Sequence, residues 1–146
     1  MSNVMAPTAM KSSFYEAMAA ALHNARLNTS DIDYISACGT GHRLMDQVET
    51  KAIKELFGSR AYNLPVSSIK SMIGNPGAAA GPLQVIAAVL AMRNNYITPT
   101  INLINPGKNC DLDYVPVKGR VARVNRAMIN IRGLGGSVSS LIISKV

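Results

Sequence analysis

One stretch constrains this chain more than any other: residues 77–92, GAAAGPLQVIAAVLAM, carry no charge. The composition is that of a helix, yet the apolar side chains are not confined to one stripe. A helix that is apolar all round must be covered all round. Pro82 and Gln84 interrupt the run, and it falls short of the roughly 20 apolar residues a membrane span needs. A buried helix of a soluble fold is therefore expected. A chain of 146 residues has room for one domain. As an α/β unit it has one sheet, which covers one side of such a helix. Because large exposed apolar patches are rare on monomers, the other side calls for a second sheet. The chain reads as half of something.

Around that helix the periodicities alternate. Residues 1–12 show no repeat and are expected as an irregular lead-in to a single domain spanning 1–146. FYEAMAAALHNAR, residues 14–26, is rich in helix formers, with Met18, Ala21 and Leu22 at helical spacing. Asn28-Thr29-Ser30-Asp31 breaks it. Residues 32–37 alternate as a short strand and run into Cys38-Gly39-Thr40-Gly41. A helix is predicted over 44–57, stopped by Gly58, and a short buried strand over 63–67. Two late β-rich runs, 127–131 and 137–144, flank Gly133-Leu134-Gly135-Gly136. This order predicts an α/β fold with a mixed sheet and helices on both faces.

Charge narrows the function classes. Fifteen Lys+Arg against eight Asp+Glu leave +7. With no Trp, two Phe and no dense basic cluster, the chain offers few platforms for stacking bases. A nucleic-acid role would rest on charge alone, whereas an anionic protein partner or a phosphorylated ligand fits the surplus equally. Cys38 and Cys110 match neither a metal nor a disulfide framework. With no secretory signal in residues 1–4, a reduced, cytoplasmic protein is expected.

Five segments carry a family resemblance. DIDYISACGTGHRLMDQVETKAIKELFG is similar to a ketosynthase segment reading roughly D-Y-I-x-A-H-G-T-x-T-x-x-x-D-x-x-E. SSIKSMIGNPGAAAG is similar to S-S-x-K-S-x-x-G-H-x-x-G-A-A-G. PTINLINP, CDLDYVP and NIRGLGG resemble P-T-I-N-L, C-D-L-D-Y-V-P and N-S-F-G-F-G-G, in the same order and at similar spacings. The chain thus resembles, over about residues 5–146, the C-terminal half of a β-ketoacyl-[acyl carrier protein] synthase of the elongating, thiolase-like type. The resemblance implies two similar βαβαβαββ halves layered α-β-α-β-α, with one buried central helix from each. Residues 77–92 would be this half's. No metal or diffusible cofactor is implied, since the substrate would arrive on the phosphopantetheine arm of an acyl carrier protein.

The departures from the family pattern matter as much. In that family a cysteine nucleophile in the N-terminal half takes the acyl chain, and two histidines assist decarboxylation and hold the oxyanion. By the resemblance, Cys38 stands at the first histidine position and Asn75 at the second. Lys70 matches the family's lysine, and Asp46 and Glu49 match its accompanying acids. Three apart on one helix face, both acids could meet one ammonium. Asn75 either donates to an oxyanion hole or satisfies backbone groups in a Gly-rich loop. Cys38 is either a nucleophile whose pKa Lys70 lowers or a buried inert thiol, and a thiol is too weak a donor to stand in for imidazole. His42, at the family's second threonine position, either turns inward or lies on a surface loop.

Thr40 and the loop Gly133, Leu134, Gly135, Gly136 match substrate-side positions, where glycines permit close backbone approach to a thioester. Leu134 stands where the family usually has a gating phenylalanine. Lys118, Arg120, Arg123, Arg126 and Arg132 fall in one stretch without an acid. They form either a solvated basic face or a dock for an acidic carrier protein. Three functions follow. The chain is a degenerate half acting as a non-catalytic or chain-length-shaping partner, as chain-length factors do in aromatic polyketide systems. Alternatively it is half of a split, working acyltransferase that uses Asn75 as oxyanion donor. As a fragment or decayed product it would aggregate alone. The expected partners are a chain carrying the N-terminal half or a full ketosynthase, together with an acyl carrier protein. The assembly would be a homo- or hetero-oligomer, without nucleic acid or membrane.

Overall fold

The structure, a computed structural model, describes residues 6–146. Helix α1, Pro7–Ala25, begins inside the stretch expected to be irregular. Pro7 is part of the reason, because its φ is preset for a first helical turn in which a missing N–H costs nothing. The larger reason is a stripe at four-residue spacing, Met10, Phe14, Met18 and Leu22, all buried. Residues 7–12 are therefore helical, and the remainder of the expected lead-in, 1–5, lies outside the described residues.

Strand β1, Tyr34–Ser36, is shorter than the alternation suggested. A 3-10 turn at Thr29–Asp31 precedes it, closed by the Asn28 N–H donating to Asp31 Oδ2 at 2.8 Å. Helix α2, Arg43–Phe57, is as predicted to within a residue. A second 3-10 segment, Gly58–Asn63, then shortens the next strand, β2, to Val66–Ser67. The single turn α3, Lys70–Ile73, and a 3-10 turn at Gly77–Ala79 lead into α4, Ala80–Asn94. A small antiparallel ribbon of β3, Tyr96–Ile97, and β4, Arg120–Val121, follows. The chain closes with the hairpin β5, Arg126–Arg132, and β6, Val138–Ser144.

The main sheet runs β2-β1-β5-β6. β1 is parallel to both β2 and β5, and β6 is antiparallel to β5. The mixed sheet is thus present, with helices on both faces. Alternate side chains face opposite layers. Ile35, Val66 and Met128 enter the cluster under α1 and α2, while Tyr34, Ala127 and Ile129 enter the one under α4. Burial on both faces is what parallel pairing requires.

α4 fulfils the main expectation from the sequence. Ala80, Gln84, Ala88, Ala91 and Met92 turn toward the sheet and are buried. Gly81 allows close contact, since a Cβ there would lie 3.1 Å from Ile131 Cδ1. The opposite flank is bare: Leu83, Ile86, Val89 and Leu90 are 37%, 55%, 41% and 47% exposed. Met72 and Ile73 of α3 are exposed as well. One sheet covers one side, and the other side lacks a cover. Among the described residues no helix is long and apolar enough to cross a membrane.

Candidate functional site

The chemistry-bearing residues gather where the chain leaves β1. N–H groups and carbonyls there are held from both sides. The N–H groups of Cys38 and Gly39 donate to Glu49 Oε1 and Oε2 at 2.9 and 3.0 Å, and that of Thr40 to Asp46 Oδ1 at 3.0 Å. On the carbonyl side, Lys70 Nζ donates to Cys38 O at 2.6 Å and to Gln84 Oε1 at 3.2 Å. Gln84 Nε2 donates to Ala37 O at 2.9 Å and to Asn130 O at 3.1 Å. Asn130 Nδ2 reaches Glu49 Oε1 at 3.0 Å. Gly39 O accepts from Ser68 Oγ at 2.8 Å. Position 39 must be glycine: its φ is +33°, and a Cβ would sit 2.5 Å from Ser68 Cβ.

This corrects the expected charge cluster. Asp46 and Glu49 do share one face of α2, but what they meet is the backbone of residues 38–40. Among the described residues no ion pair joins Lys70 to either acid. The reason is geometric. The segment lies between them, presenting N–H groups to the carboxylates and a carbonyl to the ammonium. Burial pushes the carboxyls of Glu49 and Asp46 above the usual range, against the pull of the N–H groups they accept.

Cys38 is 4% exposed. Burial, and then the Glu49 charge, push its thiol up to about 12, outweighing the nearby Lys70. The geometry is that of an inert thiol, because at pH 8 only ~10⁻⁴ of such a group is thiolate. Alkylation of Cys38 in the folded chain, followed by peptide mass mapping, is expected to run at least about a hundredfold slower than in denaturant. Equal rates would contradict this environment.

Beside the clamped segment lies a cleft of about 640 Å³, with Thr40, Asp46, Glu49, Lys70 and Asn75 among its lining residues. Asn75 is exposed, and its amide has no hydrogen-bond partner among the described residues. It therefore does not bind the Gly-rich loop together. His42 is the exposed residue before α2. The glycine loop is not in this cleft. Gly133, Leu134, Gly135 and Gly136 form the β5–β6 turn, closed by Gly133 N–H to Ser137 O at 2.9 Å. Leu134 is 98% exposed.

The basic stretch is less free than its sequence suggests. Arg120 pairs with Asp113, and Arg126 lies 3.8 Å from Asp31. Arg123 Nε donates to Asn125 Oδ1 at 3.4 Å. Lys118 is exposed. Sequence reading missed Gln84 and Asn130 as parts of the site. Each had a signal, as Gln84 is the lone amide deep in an apolar helix and Asn130 the lone polar residue in the run 127–131. Ser68 carried none.

Residues 2–104 match the family model described as beta-ketoacyl synthase, C-terminal domain. The chain is 44% identical over 133 residues to 3-oxoacyl-[acyl-carrier-protein] synthase 2 of Coxiella burnetii, covering 91% of this chain and 32% of the relative. It is 45% identical over 130 residues to the tetracenomycin polyketide synthase ketoacyl synthase alpha subunit of Streptomyces glaucescens, covering 89% and 30%. Among solved structures, the ishigamide ketosynthase/chain length factor matches with TM-score 0.89 at 32% identity, over 93% of this chain and 33% of that one. A type II polyketide acyl carrier protein in complex with its ketosynthase bound to the hexaketide matches with TM-score 0.88 at 34% identity, over 91% and 33%. The chain spans about a third of the length of these relatives. Motif order, the layered mixed sheet with its half-covered helix, and these likenesses agree: the chain belongs to the β-ketoacyl synthase family, as a member of its C-terminal domain.

Proposed function

We propose that the chain is a ketosynthase-like subunit of fatty-acid or polyketide synthesis that does no condensation with its own side chains and shapes the acyl site of a partner. The partner is a chain carrying the N-terminal half or a full ketosynthase. The observation that carries this reading is the clamp. The apparatus that positions residues 38–40 is complete, yet at Cys38 it holds a buried thiol pushed up to about 12. By the resemblance, histidines would stand at Cys38 and Asn75. Likeness to a ketosynthase/chain length factor supports the partner role.

An acyl carrier protein would deliver the chain on its phosphopantetheine arm, so the reading calls on no diffusible cofactor. The exposed cations Lys118 and Arg123, with Arg120 and Arg126 beside them, offer it a basic surface. A relative solved with its carrier protein supports that docking. Two free, buried cysteines are in keeping with a reducing, cytoplasmic setting.

One observation favours a second reading, a split but working acyltransferase: the Asn75 amide stands unpartnered on the rim of the cleft. Asn75→Ala in the assembled complex separates the two. A non-catalytic subunit leaves acyl transfer within about twofold of the parent. Loss of an oxyanion donor lowers the rate by ~10²–10³ and would replace the first reading with the second.

A further inference from the structure

β6 ends the sheet, and the direction of its backbone groups can be worked out. In the hairpin, Gly133 N–H donates to Ser137 O and Lys145 N–H to Asn125 O. Pairing between them is one to one, from Arg132 opposite Val138 to Arg126 opposite Ser144. Residues 137, 139, 141, 143 and 145 therefore turn their N–H and C=O toward β5. Val138, Ser140, Ile142 and Ser144 turn theirs outward. Among the described residues none of these outward groups has a hydrogen-bond partner.

Open edges of this kind are normally guarded by charge, proline or a bulge. β6, VSSLIIS, has no Lys, Arg, Asp, Glu or Pro, and its register has no bulge. The edge also complements itself. Lay a second copy antiparallel about a two-fold axis through Leu141. Val138 then meets the second copy's Ser144, and Ser140 meets its Ile142, so all four outward residues face one another in hydrogen-bonding pairs. A shift of one residue would set outward groups against inward ones and make no ladder. Leu141, 44% exposed, would face itself at the closer, non-hydrogen-bonded position, ~4.5 Å between Cα atoms. The lack of charge in the strand also keeps the chain's positive surplus off the axis.

We propose that the outer edge of β6 is a homodimerisation surface, joining two copies through an antiparallel β6–β6 ladder centred on Leu141 into one continuous sheet. The uncovered flank of α4 takes no part, so this dimer and the pairing of α4 with another half are independent.

Sedimentation velocity on the full chain over a concentration series, with amide hydrogen exchange at its two ends, tests this. A monomer–dimer equilibrium is expected, in which the amides of Val138, Ser140, Ile142 and Ser144 slow together by at least about tenfold as dimer forms. Leu141→Lys sets two ammoniums on the axis, and Ser144→Pro removes an outward N–H. Each is expected to weaken association at least about tenfold while circular dichroism stays that of the parent. Since the exchange measurement needs no variant, misfolding of either one leaves the test standing. The proposal is overturned by a monomer at every concentration, by a dimer whose outward amides exchange as fast as the monomer's, or by a dimer indifferent to both substitutions. Purification of the chain with another protein's strand on this edge would overturn it too.

Discussion

Glu49→Ala is expected to lower the stability of the folded chain by about 3–5 kcal/mol, measured by urea denaturation. The carboxylate is 4% exposed and accepts the N–H groups of Cys38 and Gly39 together with Asn130 Nδ2. Removing it takes the acceptor from the buried Cys38 N–H, the half-buried Gly39 N–H and one hydrogen of Asn130 Nδ2, whose other contact is Met18 Sδ, and a buried donor left unsatisfied costs about 1–3 kcal/mol. Asp46→Ala removes the acceptor for the N–H groups of Thr40 and Gly41, in a more open position, and is expected to cost about 1 kcal/mol. A loss below ~1 kcal/mol for Glu49→Ala would mean that the clamp does not hold the segment.

The pH dependence has a definite sign. Burial raises the Glu49 carboxyl above its ordinary value of 4.5. A group whose folded pKa is raised contributes its stability fully below the unfolded value, and loses it as the pH climbs through the folded one. The difference between Glu49→Ala and the parent is therefore widest at and below pH 4.5 and narrows as the pH climbs through the raised folded value. Asp46, raised in the same direction, leaves the variant a slope of the same sign.

The second large effect concerns assembly. Ile86→Glu is expected to weaken association with the second half by at least about 30-fold, or 2 kcal/mol, while leaving the isolated chain folded. Ile86 is 55% exposed on the bare flank of α4, so the charge is solvated in the free chain and must be desolvated under a covering layer. Ala88→Glu, one half-turn away and 1% exposed beneath the helix, is the counterpart. It puts an unpaired charge into the core and is expected to unfold the chain. Titration calorimetry with the partner separates the two, and unchanged affinity for Ile86→Glu would remove α4 from the interface.

Much of this was legible in the residues. The α4 run announced its own incompleteness, because no stripe of polar residues marks a solvent side. The clamp was half legible. The spacing of Asp46 and Glu49 put them on one face, but spacing names a face and not a partner, and the partner is main chain. α1 was read too short because the missed residues 7–13 carry only Met10 of the stripe among small and polar residues. The basic stretch looked unopposed because its acids, Asp31 and Asp113, lie outside the 118–132 window in sequence. The 3-10 turn before β1 is closed locally by Asn28 and Asp31 and showed in the sequence only as a break, whereas the one that shortens β2 is braced by tertiary contact, Arg60 donating to Ile32 O at 2.6 Å.

The central claim is that this chain folds as one half of a layered assembly whose other half lies on a different polypeptide segment. Native mass spectrometry of the gently purified chain from its own cells tests it most directly, with an apolar-dye titration of the chain alone beside it. The account predicts a stoichiometric complex with a chain bearing the N-terminal half or with a full ketosynthase, and dye binding by the lone chain that vanishes in the complex. A stable chain without such a partner, whether single or paired only with itself, that binds no dye would mean the α4 flank needs no cover, and would contradict the account.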